Sequence, residues 1–400
     1  MESLPMTPSL ATFQPSDLPL NVEGRLRFLD GLRGIAAFYV MVGHARMFLW
    51  EGYREGYLYH PDLYNLPEKV LAYVLLIFSF QRQAVLFFFV LSGFLIHLRY
   101  ARMLKADPET ARFDWGKYVG RRMRRLYPPL IFALLLTFLL DRIGMGLGFP
   151  IYRGAAPHPL DTFIANTRFD ITSLIGNLAF ITPFYVPIWG SNIALWSLTY
   201  EWWFYMLYPA LWWISKRSIA WATWLILAAF LISFLHFGRL FALPAAIFSL
   251  MPVWWFGALL ADVYIERIHI KLWKIGLLSI LMPILFPLAF PMAGHSSAFR
   301  ILQDIGWAAG ITGLLAAGFA WLNHGGSLRL IAALKPLGDM SYTLYVIHVP
   351  ILVLLSGIAL SQTPDHRLPQ HVSWTILGIL LSMLAAYAAH FLTEKHHWTF

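Results

Sequence analysis

The chain has 400 residues, of which 58% are hydrophobic and only 13% are charged. Soluble domains carry about 25% charged residues, and a chain this apolar could not cover its own surface with polar groups in water. The composition therefore excludes an ordinary soluble enzyme, a disordered chain and a nucleic-acid-binding protein. It predicts an all-α, polytopic helical membrane protein, whose net charge of +9 reflects cytoplasmic loops and contact with anionic membrane lipids.

Residues 1–24 are polar and rich in proline, and they contain no apolar h-region. This pattern argues against a cleaved signal peptide and predicts a disordered cytoplasmic tail. The remainder is predicted to be one membrane domain over residues 25–395, followed by a short cytoplasmic tail at 396–400.

The chain is long enough for roughly ten membrane-spanning helices of about 20 residues each, and ten apolar segments are assigned to them. They lie near residues 32–50, 84–98, 126–140, 194–214, 219–236, 241–261, 275–292, 305–322, 341–360 and 372–392.

The basic loop between Arg99 and Arg125 is expected in the cytoplasm, as is the N-terminal tail with its arginines. Two crossings must then separate the tail from the loop. The additional apolar run at 70–80 is therefore predicted to be a short re-entrant or interfacial helix.

The segment 171–190 contains Pro183 and Pro187, which suit a straight membrane span poorly. A crossing here would also place the later basic loops outside the cell, against the positive-inside rule. We therefore predict that this segment does not cross, which leaves ten spans and puts both termini in the cytoplasm.

Arg33 and His44 lie in the first predicted span, where ionisable groups are costly and are candidate functional residues. Their spacing leaves both side chains within roughly 20° of one helix face, about 16–17 Å apart, with His44 towards the outer leaflet. This stripe suits a long phosphorylated thioester, whose phosphates an arginine binds. The alternative is a snorkelling Arg33 and a His44 that is bonded to a backbone carbonyl.

A basic cluster, Arg121-Arg122-Met123-Arg124-Arg125, precedes the third predicted span. It fits two roles that charge alone does not separate. One is a topology anchor in contact with anionic lipid, and the other is binding of a phosphoadenosine moiety.

Glu201 is a carboxylic acid within an apolar, aromatic segment, and Ser197 and Tyr205 share its helix face at i−4 and i+4. In the predicted topology Glu201 lies at a depth similar to that of His44. An acid–base pair is therefore predicted, in which the carboxylate orients the imidazole. The alternative is a Glu201 that is protonated or paired with an arginine such as Arg33.

Ser341, Tyr345 and His348 share one face of the ninth predicted span, at i, i+4 and i+7. Hydrogen bonding between helices is the default expectation for such a cluster.

The absence of cysteine removes disulfides, thiolate nucleophiles and cysteine metal sites from consideration. The sequence has no HExxH, P-loop or GxSxG motif, so zincin, NTPase and hydrolase-elbow functions lack support. We expect no bound metal, and the apolar composition already argues against a nucleic-acid partner.

Five blocks, in this order, resemble the integral-membrane acyltransferase-3 family, which includes O-acetylases of bacterial surface polysaccharides. The blocks are FLDGLRG at 28–34 followed by His44, FFFVLSGFLI at 87–96, RMRRLYP at 122–128, LWSL at 195–198 with Glu201, and SYTLYVIHVP at 341–350. The resemblance extends over about residues 26–392. One departure is QRQAVL at 81–86, where family members usually carry a glycine-valine-aspartate-type lead-in.

The resemblance implies a multi-pass enzyme of the bacterial inner (plasma) membrane. It would transfer an acyl group, with acetyl favoured, from acyl-CoA as co-substrate to a hydroxyl of an extracytoplasmic or lipid-linked carbohydrate. It also implies that His44 is the general base, and that Arg33, Arg122 and Arg125 bind the acyl-CoA phosphates. Glu201 would be catalytic or would organise the cavity. The supporting cavity residues would be Ser92, Ser197, Tyr205, Ser341, Tyr345 and His348.

A transporter of a glycolipid or anionic solute is the alternative from a different class. In that case His44 and Glu201 would form a proton relay, and the basic clusters would form a substrate vestibule.

Overall fold

The computed structural model describes residues 20–156, 160–235, 238–277, 281, 297–363 and 365–394. Within these residues the regular structure is helical, and strand-type pairing is limited to an isolated parallel bridge between Arg168 and Trp189. The first helix begins at Leu20, inside the region predicted as the N-terminal tail. Residues 1–19 and the predicted tail at 396–400 lie outside the described residues.

The described α-helices include eight of at least 20 residues and several shorter ones. The longer helices are α1 (Leu20–Leu49), α3 (Gln81–Ala106), α4 (Trp115–Gly146), α7 (Trp196–Arg217), α9 (Ala242–Tyr264), α11 (Ser297–Asn323), α14 (Ser341–Leu360) and α15 (Ser373–Thr393). The shorter ones are α2 (Leu66–Val74), α5 (Asp161–Ala165), α6 (Ile171–Leu178), α8 (Ile219–Ile232), α10 (272–277), α12 (Arg329–Ala332) and α13 (Lys335–Asp339). A π-helix covers Gly52–Tyr57, and short 3₁₀ helices cover Pro61–Leu63, Leu75–Ser79, Pro150–Tyr152, Ile193–Leu195 and Arg239–Phe241.

Six helical segments in the described part of the chain are long and apolar enough to cross a membrane, which identifies a membrane protein. They are Leu66–Ala106, Trp115–Gly146, Arg239–Tyr264, Phe299–Asn323, Ser341–Leu360 and Ser373–Thr393. Helix α8 is apolar, but its 14 residues reach only about 21 Å, and most of the predicted span 275–292 lies outside the described residues. The total of ten spans and the orientation of the termini therefore remain predictions.

Helices α1 and α14 run in the same direction. Gly338, three residues before α14 begins, packs closely against α1. A Cβ atom added to Gly338 would lie only 2.0 Å from the carbonyl oxygen of Asp30. Further along both helices, His44 is hydrogen-bonded to His348. The first and ninth spans of the predicted topology require this common direction.

Helix α3 runs opposite to α1. Its first residue, Gln81, lies against Gly43 near the end of α1. The ring of Phe319 contacts both Phe28, near the beginning of α1, and Phe94, more than halfway along α3. This opposed direction is the one that the first and second predicted spans require.

The segments at 70–80 and 171–190 contain only short helices. The nine residues of α2 and the eight of α6 correspond to about 12–14 Å, less than half of the hydrocarbon thickness. Neither helix alone is long enough to cross a bilayer, although α2 belongs to the continuous helical segment Leu66–Ala106. That the segments at 70–80 and 171–190 do not span stays a prediction. A capping box between Asn65 and Glu68 fixes the beginning of α2.

The beginning of α4 is fixed by Asp114, whose carboxylate accepts a 2.9 Å hydrogen bond from the backbone N–H of Lys117. This bond lowers the pKa of Asp114 below its ordinary value. The helix continues through Pro128 and Pro129. The basic cluster predicted from the sequence thus lies on the first turns of a helix whose later part is apolar.

Helices α3 and α9 pack with their backbones unusually close together. A Cβ atom would lie 2.0 Å from the carbonyl oxygen of Trp254 if it were added to Gly93, and 1.8 Å from that of Val90 if it were added to Gly257. Small residues permit such close helix contacts in membranes. The contact brings Trp254 beside Ser92, which lines the site described below.

Candidate active site

A partly enclosed cavity of about 160 Å³ lies between α1, α3, α4, α7 and α14. We call it the arginine cavity, because three of its lining residues are arginines. Eight predicted site residues line it: Arg33, Ser92, Arg122, Arg125, Ser197, Glu201, Ser341 and Tyr345. The rest of the lining is Tyr342 together with apolar side chains of α3 and Leu198. The structure therefore brings together residues that are up to about 300 positions apart in the chain.

The charges around the arginine cavity are unbalanced. Arg33, Arg122 and Arg125 line it together with one carboxylate, Glu201. Arg33 is also paired with Asp30 at 3.5 Å, and its side chain is only 13% exposed. Behind the lining, the buried Glu394 lies within Coulombic range of Arg33 and Arg125. The lining itself still carries more positive than negative charge, which suits the binding of an anion.

Arg122 is held by aromatic rings and keeps hydrogen-bonding capacity. Its guanidinium carbon lies 5.5 Å from the ring centroid of Tyr118 and 5.3 Å from that of Tyr205, both within cation–π range. Its Nε atom is buried and has no hydrogen-bond partner among the described residues. A buried donor without a partner is costly, so a bound acceptor group at this position would be stabilised.

A directed chain of hydrogen bonds fixes Glu201. The indole Nε1 of Trp254 donates to Ser92 Oγ at 3.3 Å, and Ser92 donates to the Tyr205 hydroxyl at 3.1 Å. Tyr205 in turn donates to the Glu201 carboxylate. Tyr205 does not line the cavity itself, but it holds the carboxylate that does.

A second polar cluster is formed by two histidines, His44 and His348, which we call the histidine pair. Their rings are nearly parallel with centroids 5.0 Å apart, and His44 Nδ1 lies 2.7 Å from His348 Nε2. Neither histidine lines the arginine cavity. Tyr345 connects the two regions, because its hydroxyl bonds to Ser197 Oγ at 2.7 Å and its ring packs against His348.

The predicted pairing of His44 with Glu201 is not what the structure shows. His44 is bonded to His348, whereas Glu201 is bonded to Tyr205 and shares the cavity with Arg33. Helical spacing shows which residues share a face, but it does not show how neighbouring helices are rotated. The alternative, a Glu201 in arginine surroundings, describes the observed position better.

Two polar networks, one of them fully buried, were not predicted from the sequence. His97 is fully buried and contacts the Tyr208 hydroxyl at 3.0 Å and Asp262 at 2.9 Å. Arg82 donates to Asp304 at 2.8 Å. These side chains join different helices and satisfy one another, so we assign them to the scaffold. Their only signal in the sequence was the presence of ionisable residues in apolar helices.

In the described part of the chain, no group of three or more histidine or acidic side chains is arranged to hold a metal ion. The polar residues described here are arginines, tyrosines, serines, a glutamate and two histidines.

Together these features define a polytopic helical membrane protein with a buried cationic cavity. The model of the acyltransferase-3 family, described as an acyltransferase domain, matches residues 26–391, which include both the arginine cavity and the histidine pair. The chain belongs to this family and is a membrane acyltransferase, which uses an acyl donor and an acceptor substrate. This membership favours an enzyme over the transporter alternative. Comparison with curated proteins and with solved structures gave no match.

Proposed function

We propose that the protein is an O-acyltransferase of a bacterial inner membrane. It transfers an acyl group, foremost acetyl, from acyl-CoA to a hydroxyl of an extracytoplasmic or lipid-linked carbohydrate. The observation that carries the proposal is the convergence of three arginines on one cavity, whose lining residue Tyr345 packs against His348 of the histidine pair. The cavity is suited to phosphates and the histidine pair to proton transfer.

The donor is proposed to enter from the cytoplasmic side. Arg33, Arg122 and Arg125 bind its phosphates by charge-assisted hydrogen bonds, including one from the unpartnered Nε of Arg122. The cavity of about 160 Å³ is smaller than the roughly 300–1,000 Å³ of pockets that enclose drug-sized ligands. It therefore accommodates the narrow pantetheine arm, while the nucleotide remains at the cytoplasmic mouth.

The thioester is then placed towards the outer end of α1. Arg33 and His44 are about 16–17 Å apart along one helix face, and an extended pantetheine arm can follow that face past Tyr345. In this arrangement the phosphates stay near Arg33 while the acyl carbon reaches His44.

His44 is the proposed general base. It takes the proton from the acceptor hydroxyl as the oxygen attacks the thioester carbonyl carbon. The C–S bond then breaks, and the CoA thiolate leaves and recovers the proton from His44. An ester and free CoA are formed, and no further reactant is needed.

Glu201 is proposed to organise the cavity. It lies among arginines and is held by Tyr205, so its negative charge offsets the mutual repulsion of their guanidinium groups and holds them together around a phosphorylated ligand. Because Glu201 is not bonded to His44, we assign it no proton transfer.

The proposal is tested with membranes that contain the wild type or His44→Ala. Transfer of labelled acetyl from acetyl-CoA into lipid-linked or surface polysaccharide is measured, together with release of free CoA. The wild type is expected to do both and His44→Ala neither, at equal expression and thermal stability. Undiminished transfer by a folded His44→Ala variant would exclude this mechanism.

A further inference from the structure

Both ring nitrogens of His348 have a neighbour at hydrogen-bond distance. Nδ1 lies 3.0 Å from the carbonyl oxygen of Leu344, one helical turn earlier. Nε2 lies 2.7 Å from Nδ1 of His44. The His348 side chain is completely buried, so the positions of its protons are decided by these two neighbours.

The carbonyl oxygen of Leu344 can only accept a hydrogen bond, so Nδ1 of His348 must carry the proton and donate it. In a neutral imidazole the other nitrogen, Nε2, then has no proton and accepts. His44 Nδ1 must therefore carry a proton in order to form the bond between the two rings. Nε2 of His44 is left as an unprotonated nitrogen with a free lone pair.

The alternative assignments are unfavourable. A proton on Nε2 of neutral His348 would leave the Nδ1 lone pair facing the Leu344 carbonyl oxygen. A doubly protonated His348 would be a fully buried cation, and among the described residues it has no carboxylate partner. Burying an unpaired charge in a membrane protein is costly.

We infer that His348 is a positioning residue, which fixes His44 in the Nδ1–H tautomer and leaves Nε2 free to accept the acceptor's proton. The inference rests on the proposed function and extends it by one residue. The bond between the rings holds the His44 imidazole parallel to that of His348. His44 is partly exposed, whereas His348 is completely buried. The substrate thus meets His44 and not its partner.

Two substitutions separate the two hydrogen bonds of His348. In His348→Gln, the amide group lies near the place of Nε2, and its oxygen can accept the proton of His44 Nδ1. In His348→Asn, the shorter amide lies near the place of Nδ1, so it can bond to the Leu344 carbonyl but cannot reach His44. Both variants are polar and similar in size, which makes each a control for the other.

The activity test measures kcat and KM for acetyl-CoA with the full chain, at equal folded amounts. We expect His348→Gln to keep kcat within about threefold of the wild type. We expect His348→Asn to lose at least about tenfold in kcat with KM unchanged, which is less than the roughly 10²–10⁴-fold contribution of a general base. Equal losses in both variants, a larger loss in His348→Gln, or a fully active His348→Asn would overturn the inference.

Nitrogen-15 NMR of histidine-labelled full-length protein provides a test that does not depend on activity. Nitrogen chemical shifts distinguish the two neutral tautomers, and signals are assigned with the His44→Gln and His348→Gln variants. We expect both histidines as Nδ1–H tautomers. An Nε2–H tautomer for His44 would overturn the inference. An inactive wild type with the expected tautomers would instead contradict the proposed function alone.

Discussion

The two ends of the site differ in how they are built. The arginine cavity is rich in charge. Arg33, Arg122 and Arg125 come from two helices, and they share the cavity with Glu201, whose carboxylate accepts a hydrogen bond from the Tyr205 hydroxyl. The histidine pair is instead joined by a directed hydrogen bond next to a backbone carbonyl. In the proposed function the arginine cavity therefore binds the donor, and the histidine pair transfers a proton. Substitutions in the arginine cavity should mainly change KM, and substitutions in the histidine pair should mainly change kcat.

The largest expected effect comes from the histidine end. Replacing His44 by alanine removes the proposed general base, so kcat should fall by about 10²–10⁴-fold with little change in the KM for acetyl-CoA. His324→Ala is the control, since His324 is exposed and its ring bonds to the backbone carbonyl of Ala320, four residues earlier. A large rise in KM with unchanged kcat would show that His44 belongs to the binding end.

The next largest effect is expected at the arginine end, where adjacent residues provide a matched pair. Arg125 lines the cavity, whereas Arg124 is exposed. Loss of a charge-assisted hydrogen bond costs about 1.5–3 kcal/mol, so Arg125→Ala should raise the KM for acetyl-CoA by about 10- to 100-fold. Arg124→Ala should keep the wild-type KM. Equal effects of the two variants in steady-state kinetics would show that total positive charge matters, and not the cavity.

A smaller effect is expected when the support of Glu201 is weakened. Tyr205→Phe keeps the ring beside Arg122 but removes the hydroxyl that bonds to Glu201 and Ser92. A typical hydrogen bond contributes about 1 kcal/mol, so the KM for acetyl-CoA should rise by about fivefold while kcat stays the same. A selective loss of kcat would connect Tyr205 to the chemistry instead.

The smallest effect on catalysis is expected at the contact between α3 and α9. A methyl group on Gly257 would lie 1.8 Å from the carbonyl oxygen of Val90, and overpacking of this kind costs about 1–3 kcal/mol. Gly257→Ala should lower the thermal unfolding temperature, while the KM and kcat of the remaining folded protein stay near those of the wild type. Gly146→Ala is the control, because a Cβ atom there meets no neighbour within 4 Å.

Much of the site could be predicted because it follows from periodicity along single helices. Ser197 and Glu201 share one helix face and one cavity, as their spacing predicts, and Tyr205 on the same face bonds to Glu201. Arg33 lines the same cavity, whereas His44 lies outside its lining and is reached through His348 and Tyr345. Local sequence thus predicts which side chains leave a helix in the same direction.

Relations between helices could not be predicted in the same way. The pairing of His44 with His348 depends on α1 and α14 running side by side, at a rotation that neither sequence segment determines. The assignment of the basic loops to the cytoplasm predicts that α1 and α14 run in the same direction. The sequence also shows both histidines as polar residues within predicted spans. Their contact nevertheless required the packed structure, and so did the placement of Glu201 among arginines.

The most direct measurement compares two donors, acetyl-CoA and S-acetylpantetheine, which carries the same thioester without nucleotide or phosphates. Initial rates are measured for the wild type, Arg125→Ala and His44→Ala. The penalty of Arg125→Ala should disappear with S-acetylpantetheine, while that of His44→Ala should persist. If both penalties persist, or if both disappear, the proposed division between an arginine end that binds phosphates and a histidine end that transfers a proton is contradicted.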